Sequence, residues 1–172
     1  KRVFVFADNL DVINRLFFKI RDAEGQNFNG LPDLQKHPGG SLANLRNVGP
    51  PDGQLRFDMG QAWNMCDQIG HRLSGAPLNI RRTTSQDQGV DAATDIIVAT
   101  ASLEVGFNDP DVNAVIQHKA PRGAAQFLQR KGRAGRKTSM RPWTIVVLSD
   151  FGRDRMSWQN YDLLFDPELP PR

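Results

Sequence analysis

Short apolar runs alternate with helical periodicity along much of this chain. Val3-Phe4-Val5-Phe6-Ala7 is an unbroken apolar stretch, the pattern of a strand buried on both faces. Asp8 or Asn9 can cap a helix that follows, in which Leu10, Ile13, Phe17 and Ile20 recur at helical spacing and which ends near Gly25. From about residue 26 to 58 the periodicity dissolves into Gly, Pro, Asn and Asp, with Asn29-Gly30 and Pro38-Gly39-Gly40 as turn chemistry. A stretch that long without an element is unusual inside a domain, and it reads as a loop insertion. Met59, Ala62, Trp63, Cys66, Ile69 and Leu73 then mark a second amphipathic helix.

Strand patterns dominate the second half. Leu78–Arg81 is a short one, Asp95–Ala99 is the clearest, Val112–Gln117 follows, and Trp143–Leu148 is the last. Ala124, Ala125, Phe127 and Leu128 open a helix between the last two, and a closing helix is expected over 151–165, with Met156, Leu163 and Leu164 among its apolar positions. Strands alternating with helices predict an α/β domain built on a mostly parallel sheet sandwiched by helices, with the long loop insertion at about 26–58. The domain is expected over 1–166, and the proline-rich segment 167–172 as an exit toward a further domain.

Composition narrows the class. The 172 residues, 39% hydrophobic, suffice for one compact domain with a core. A single cysteine, Cys66, excludes an internal disulfide and fits a reducing, cytoplasmic setting. No apolar run approaches the roughly 20 residues that cross a bilayer, so no membrane partner is expected. A start at Lys1-Arg2 without Met fits a piece cut from something longer.

The net charge is only +3, but its distribution is uneven. Lys119, Arg122, Arg130, Lys131, Arg133, Arg136, Lys137 and Arg141 lie together with no acidic residue among them, a one-signed segment that favours a polyanion. Within it, Gln129-Arg130-Lys131-Gly132-Arg133-Ala134-Gly135-Arg136 alternates guanidinium forks with glycines, which suits phosphate oxygens; a basic loop that binds nothing in particular is the plain alternative. Arg82 and Thr83, directly after the Leu78–Arg81 strand, supply a guanidinium and a hydroxyl at a strand's carboxyl end, where open α/β sheets hold ligands; an ordinary polar loop fits about as well.

Two of these segments together resemble a known family. Ala99-Thr100-Ala101-Ser102-Leu103-Glu104-Val105-Gly106-Phe107-Asn108 is similar to motif V of superfamily 2 helicases, and the octapeptide 129–136 resembles their motif VI at the matching distance downstream. Val3–Ala7 with its helix resembles motif IV. The resemblance covers the chain in outline, most firmly Asp95 to Val147. It implies a RecA-like fold and the second, C-terminal RecA-like domain of an ATP-dependent helicase or translocase (DEAD/DEAH-like), with the glutamate-valine-glycine variant of motif V and the insertion closest in kind to large bacterial helicases. In that family ATP with Mg2+ is bound mainly by the N-terminal RecA-like domain of the same parent chain. On this likeness Arg136 is the arginine finger and Arg133 a further phosphate contact, Gln129, Gly132, Gly106 and Asn108 serve the nucleotide, and Thr100, Ala101, Arg82 and Thr83 serve the nucleic acid, DNA or RNA. Many relatives carry Asp where Asn108 stands, with Asp109 next to it here.

Two absences complete the expectation. No Gly-x4-Gly-Lys-Ser/Thr phosphate loop occurs, Gly132 to Thr138 having the wrong glycine spacing, and no Asp-Glu pair follows an apolar strand. The 172 residues are therefore expected not to hydrolyse ATP alone. A catalytically decayed nucleic-acid-binding or scaffolding module is the alternative, disfavoured by the two arginines at fixed spacing from glycines. A dinucleotide oxidoreductase is excluded because no glycine fingerprint follows Val3–Ala7.

Overall fold

The computed structural model describes residues 2–27, 29, 31, 77–83, 91–100 and 109–162. Contacts divide the chain into two units, Lys1–Phe17 with Asn79–Arg172, and Phe18–Leu78. The expected helix from Met59 to Leu73, most of the insertion, Ala101, Gly106, Asn108 and the end of the expected closing helix lie outside the described residues.

The first unit is an α/β sheet unit. Strands β1 (Arg2–Phe6), β2 (Ile80–Thr83), β3 (Ile96–Ala99), β4 (Val112–His118) and β5 (Trp143–Val147) form one sheet in the order β2-β3-β1-β4-β5, with every pairing parallel. Helix α1 (Leu10–Ala23) follows β1, α2 (Ala124–Lys131) joins β4 to β5, and α3 (Gly152–Gln159) follows β5. The α/β class expected from the alternating pattern is the one observed.

Sequence chemistry accounts for the element ends. Asn9, not Asp8, caps α1: its Oδ1 accepts the Asp11 N–H at 2.8 Å, satisfying one of the donors the first helical turn leaves unpaired. In the second unit α1 ends where Gly25 adopts φ +72°, with the Gln26 N–H bonded back to the Arg21 carbonyl at 2.9 Å, a left-handed cap that costs glycine little. Also in that unit, buried Glu24 accepts the Leu78 N–H and the Gln26 amide donates to the Leu78 carbonyl, each at 3.0 Å.

The register sets the core. Phe4, Phe6, Ile97, Ala99, Val112 and Val115 form one buried cluster, against which Ala134 packs. Phe127 of α2 is also buried, as is Ile13 of α1. Strand β5 differs: as an edge strand it leaves Trp143, Ile145 and Val147 exposed, Trp143 by 65%.

Three sequence expectations are corrected. Leu10 is exposed, because it begins α1 before the helix has turned toward the sheet. Met156 is also exposed, and the residue α3 buries is Asp154. Its carboxylate accepts the Ala120 N–H at 2.9 Å, the Ser149 N–H at 2.9 Å and the Ser149 hydroxyl at 2.7 Å, so the helix is anchored by hydrogen bonds rather than by an apolar stripe. The strand expected at Leu78–Arg81 lies two residues later because Asn79 links strands instead of joining one. Its N–H donates to the Asp95 carboxylate, and its carbonyl accepts the N–H groups of Asp95 and Ile96.

Candidate functional site

All five strands run the same way, so the sheet has one carboxyl edge and one amino edge, and the candidate residues divide between them. Thr83 ends β2 and Thr100 follows β3, both on the carboxyl edge with Asp8 after β1 and Lys119 after β4. The loop that follows α2 lies at the amino edge instead: the Gly135 N–H donates to the carbonyl of Val112, the first residue of β4, at 3.0 Å.

The amino-edge loop carries Arg133, half-buried, and Arg136, exposed, with Gln129 exposed one turn earlier on α2. Its shape depends on Gly135, which has φ +77° and lies against Pro142 so closely that a Cβ would stand 2.4 Å from the proline Cγ. Gly132 is different. It is the C-cap of α2 with ordinary helical dihedrals (φ −66°), so the conformational freedom of a glycine is not used there; a Cβ would only crowd the Leu128 carbonyl at 3.2 Å. Acids from other elements reach this edge: Lys137 pairs with Asp111, and Arg2 pairs with Asp109 and donates to the Ala92 carbonyl at 2.7 Å. The Lys137 hydrogen bond and charge hold the Asp111 carboxyl below its ordinary pKa. The basic segment is thus acid-free in sequence but not in space.

Arg130 was the member of the octapeptide whose role the sequence concealed. Its side chain is 0% exposed. One guanidinium nitrogen donates to the buried Gln117 Oε1 at 2.5 Å, another pairs with Asp8 Oδ1 at 2.7 Å, and the group lies 5.5 Å from the centre of the Phe6 ring. It is internal bracing, unavailable to a phosphate. The signal that finds it is helical phase: Phe127 and Arg130 are three apart and share the buried stripe of α2.

On the carboxyl edge the residues differ in availability. Thr83 is 3% exposed; it and Ile80, three apart and so on opposite faces of the sheet, are the two buried residues of β2. Arg82 is exposed, yet its guanidinium donates to Asn14 Oδ1 and stacks over Phe17 at 5.6 Å, which commits it to α1. Thr100 is half-buried at the end of β3. At the end of β4, burial foremost and Lys119 second push the His118 imidazole below its ordinary pKa.

Among the described residues no group of three or more His, Cys, Asp or Glu could hold a metal ion, and no helix is long and apolar enough to cross a membrane. A pocket of about 380 Å3 opens at the corner of β5 and α3, lined by Leu148, Asp150, Arg155, Trp158 and Tyr161 among others, and none of the candidate residues lines it.

Comparison with known proteins agrees with the motif positions. The family model described as the helicase conserved C-terminal domain matches residues 71–138, a span holding both the motif V and motif VI segments. Over that span, about two fifths of the chain, the sequence is similar to that domain. A protein of Caenorhabditis briggsae assigned as ATP-dependent DNA helicase Q1 is 35% identical over 57 residues, 33% of this chain and 9% of that protein. The structure of Mycobacterium smegmatis helicase Lhr bound to ssDNA and AMP-PNP matches with 20% identity and a TM-score of 0.42, over 84% of this chain and 14% of that one. The chain therefore spans about a tenth of the length of these relatives.

Proposed function

We propose that the chain is the second RecA-like half of an ATP-dependent nucleic-acid helicase or translocase. The observation that carries this reading is the division of the motif residues between two edges of one sheet. The Gly135-pinned loop presents Arg133 and Arg136 at the amino edge, while Thr100 follows β3 on the carboxyl edge. This separation suits a motor, in which one part of the domain meets nucleotide and another holds the strand being moved.

In the assembled parent protein ATP is held mainly by the N-terminal RecA-like domain, which also supplies the site for Mg2+. Arg136, with Arg133 beside it, stabilises the charge that develops on the γ-phosphoryl as it transfers to water, a role that needs a planar, permanently charged donor. Gln129, Gly132, Gly106 and Asn108 line the nucleotide side. Thr100 and Ala101 hold a nucleic-acid phosphate by hydroxyl and backbone N–H. Arg82 and Thr83 belong to the same edge, Thr83 through its backbone since its side chain is buried. Contacts of this kind read backbone and not bases, so binding is independent of sequence and sensitive to salt.

The test is Arg136→Ala in the full-length parent protein, with nucleic-acid-stimulated ATP hydrolysis as the readout. A loss of roughly 10³-fold or more in turnover, with binding of nucleic acid retained, is expected. Unchanged turnover refutes the finger, and a parent protein with no ATPase activity at all favours a binding or scaffolding module. The 172 residues alone should show no hydrolysis.

A further inference from the structure

We propose that Arg122 and Arg153 form a phosphodiester-binding pair at the carboxyl ends of β4 and β5, extending a single-stranded nucleic-acid track from the β2–β3 side of the sheet. The inference rests on the nucleic-acid reading above and adds a site at the far end of the same edge.

The charge balance at Asp8 is the starting point. Three guanidinium groups lie around its carboxylate: Arg130 at 2.7 Å, Arg153 at 3.6 Å and Arg122 at 3.9 Å. Arg130, wholly buried and closest, takes up the charge of Asp8, whose own side chain is 15% exposed. Arg122 and Arg153 are held loosely, 71% and 54% exposed, and among the described residues Asp8 is the only acid within ion-pair distance of either. Asp154, the other carboxylate here, is buried and satisfied by Ala120 and Ser149, and Lys119 stands close enough to help lower its pKa. Four cations, Lys119, Arg122, Arg130 and Arg153, thus face two anions.

Backbone geometry adds to this excess. Arg122 directly precedes Gly123, the N-cap of α2, and Arg153 sits in the first turn of α3; neither helix start has a side-chain cap. The α2 amino-terminal dipole therefore supports an anion brought in by the arginines, whereas that of α3 is already met by the Asp154 carboxylate in its first turn. The Arg153 Nη2 also donates to the Ala120 carbonyl at 2.8 Å, which fixes one side of its guanidinium and leaves the rest of the fork for a ligand.

The position selects nucleic acid over nucleotide. Arg133 and Arg136 are on the opposite edge, whereas Thr100 and the Arg122–Arg153 pair share this one. From the end of β3 to the end of β4 is two strand spacings, about 10 Å, which is about three nucleotides at the stacked rise of a single strand. The switch in connection direction adds a crevice, since β1 leads toward the β2 side of the sheet and β4 toward the β5 side.

The experiment uses the 172-residue chain with fluorescently labelled oligo-dT and oligo-rU, and follows affinity by polarisation across a salt titration. Removing one phosphate contact to a single strand should reduce the slope of log K against log salt by about 0.7. Arg122→Ala and Arg153→Ala should each do so and weaken binding roughly five- to tenfold near 0.1 M salt, for both oligomers, because the contact reads neither sugar nor base. Arg122→Lys should restore the slope, and Lys131→Ala, which removes an exposed charge at the other end of α2, should leave it unchanged. If the unaltered chain binds neither oligomer, the nucleic-acid reading itself fails. If it binds and both alanine variants keep its slope, or Lys131→Ala lowers it equally, this inference alone is overturned. Weakened ATP binding with unchanged oligomer binding would overturn it too, assigning the pair to nucleotide.

Discussion

Replacing Arg130 by Met tests whether α2 is braced from inside. The methionine keeps much of the length and apolar contact of the arginine stem while removing its charge and donors. Two losses follow. The buried Gln117 Oε1 loses the guanidinium donor 2.5 Å away, and an acceptor left unsatisfied costs about 1–3 kcal/mol. Asp8 loses its closest cation, but Arg153 and Arg122 remain at 3.6 and 3.9 Å, so the loss falls below the roughly 3–5 kcal/mol of a broken fully buried pair. The sum is about 3 kcal/mol, a large share of the roughly 5–15 kcal/mol that holds a domain together. Asp8→Asn should cost at least as much, because it leaves the Arg130 charge at zero exposure without its counter-ion. Equilibrium urea unfolding followed by circular dichroism measures both variants and the double variant. The double variant should be less destabilised than the sum of the singles by about 1.5 kcal/mol or more, since each single strands the partner of the other. A cost below about 1 kcal/mol for Arg130→Met, or strict additivity, would refute the bracing argument.

Two further variants follow from the same geometry. Gly135→Ala should cost about 2–4 kcal/mol in urea unfolding, combining an αL conformation unfavourable to a side chain with a methyl driven into Pro142; a cost under 1 kcal/mol would show that the loop relaxes freely. Asp154 gives a pH signature. Burial raises its pKa, but the hydrogen bonds from Ala120 and Ser149 outweigh that and leave it below the ordinary 3.8. The folded state therefore holds this proton more weakly than the unfolded chain does, so the stabilisation is complete at neutral pH and is lost as pH falls through and below about 3.8. The stability gap between the wild-type chain and Asp154→Asn should narrow over that acid range, and a gap independent of pH would remove the carboxylate from the account.

The strands were the legible part of the fold, because short apolar runs rich in β-branched residues and bounded by turn chemistry are the pattern of sheet strands. Val112–Gln117 and Trp143–Leu148 each match the observed strand to within one residue. Helical periodicity was a weaker guide. It marks residues that share a face without saying how much of that face is covered, so Leu10 and Met156 kept the spacing of core positions and are exposed. The anchor of α3 was not legible as packing at all. It is a carboxylate in the first helical turn, and from sequence an acid there is indistinguishable from one that merely complements the helix dipole.

The octapeptide shows why a pattern of charges reveals a site only in part. Counted along the chain, Arg130, Arg133 and Arg136 are alike: the same side chain at intervals of three, the last two each directly after a glycine. Helical phase separates them. Arg130 lies within α2 in register with Phe127, so its side chain enters the interior and reaches back toward the helix start, as helical side chains do, to meet Asp8 at the carboxyl edge. Gly132 then ends the helix, and the chain turns through Gly135 at the amino edge, so Arg133 and Arg136 are released from that phase. One arginine consequently ties together the elements that the other two are proposed to connect functionally. Asp8 sits between that brace and the exposed pair Arg122 and Arg153, where an anion bound by the pair would compete with it for their charge. A shift at Asp8 would pass through a single buried ion pair to Arg130 on the helix capped by Gly132, three and six residues before Arg133 and Arg136. If the path carries coupling, Arg130→Met in the full-length protein should lower the stimulation of ATP hydrolysis by nucleic acid more than it lowers the basal rate; an equal loss in both would reduce Arg130 to stability alone.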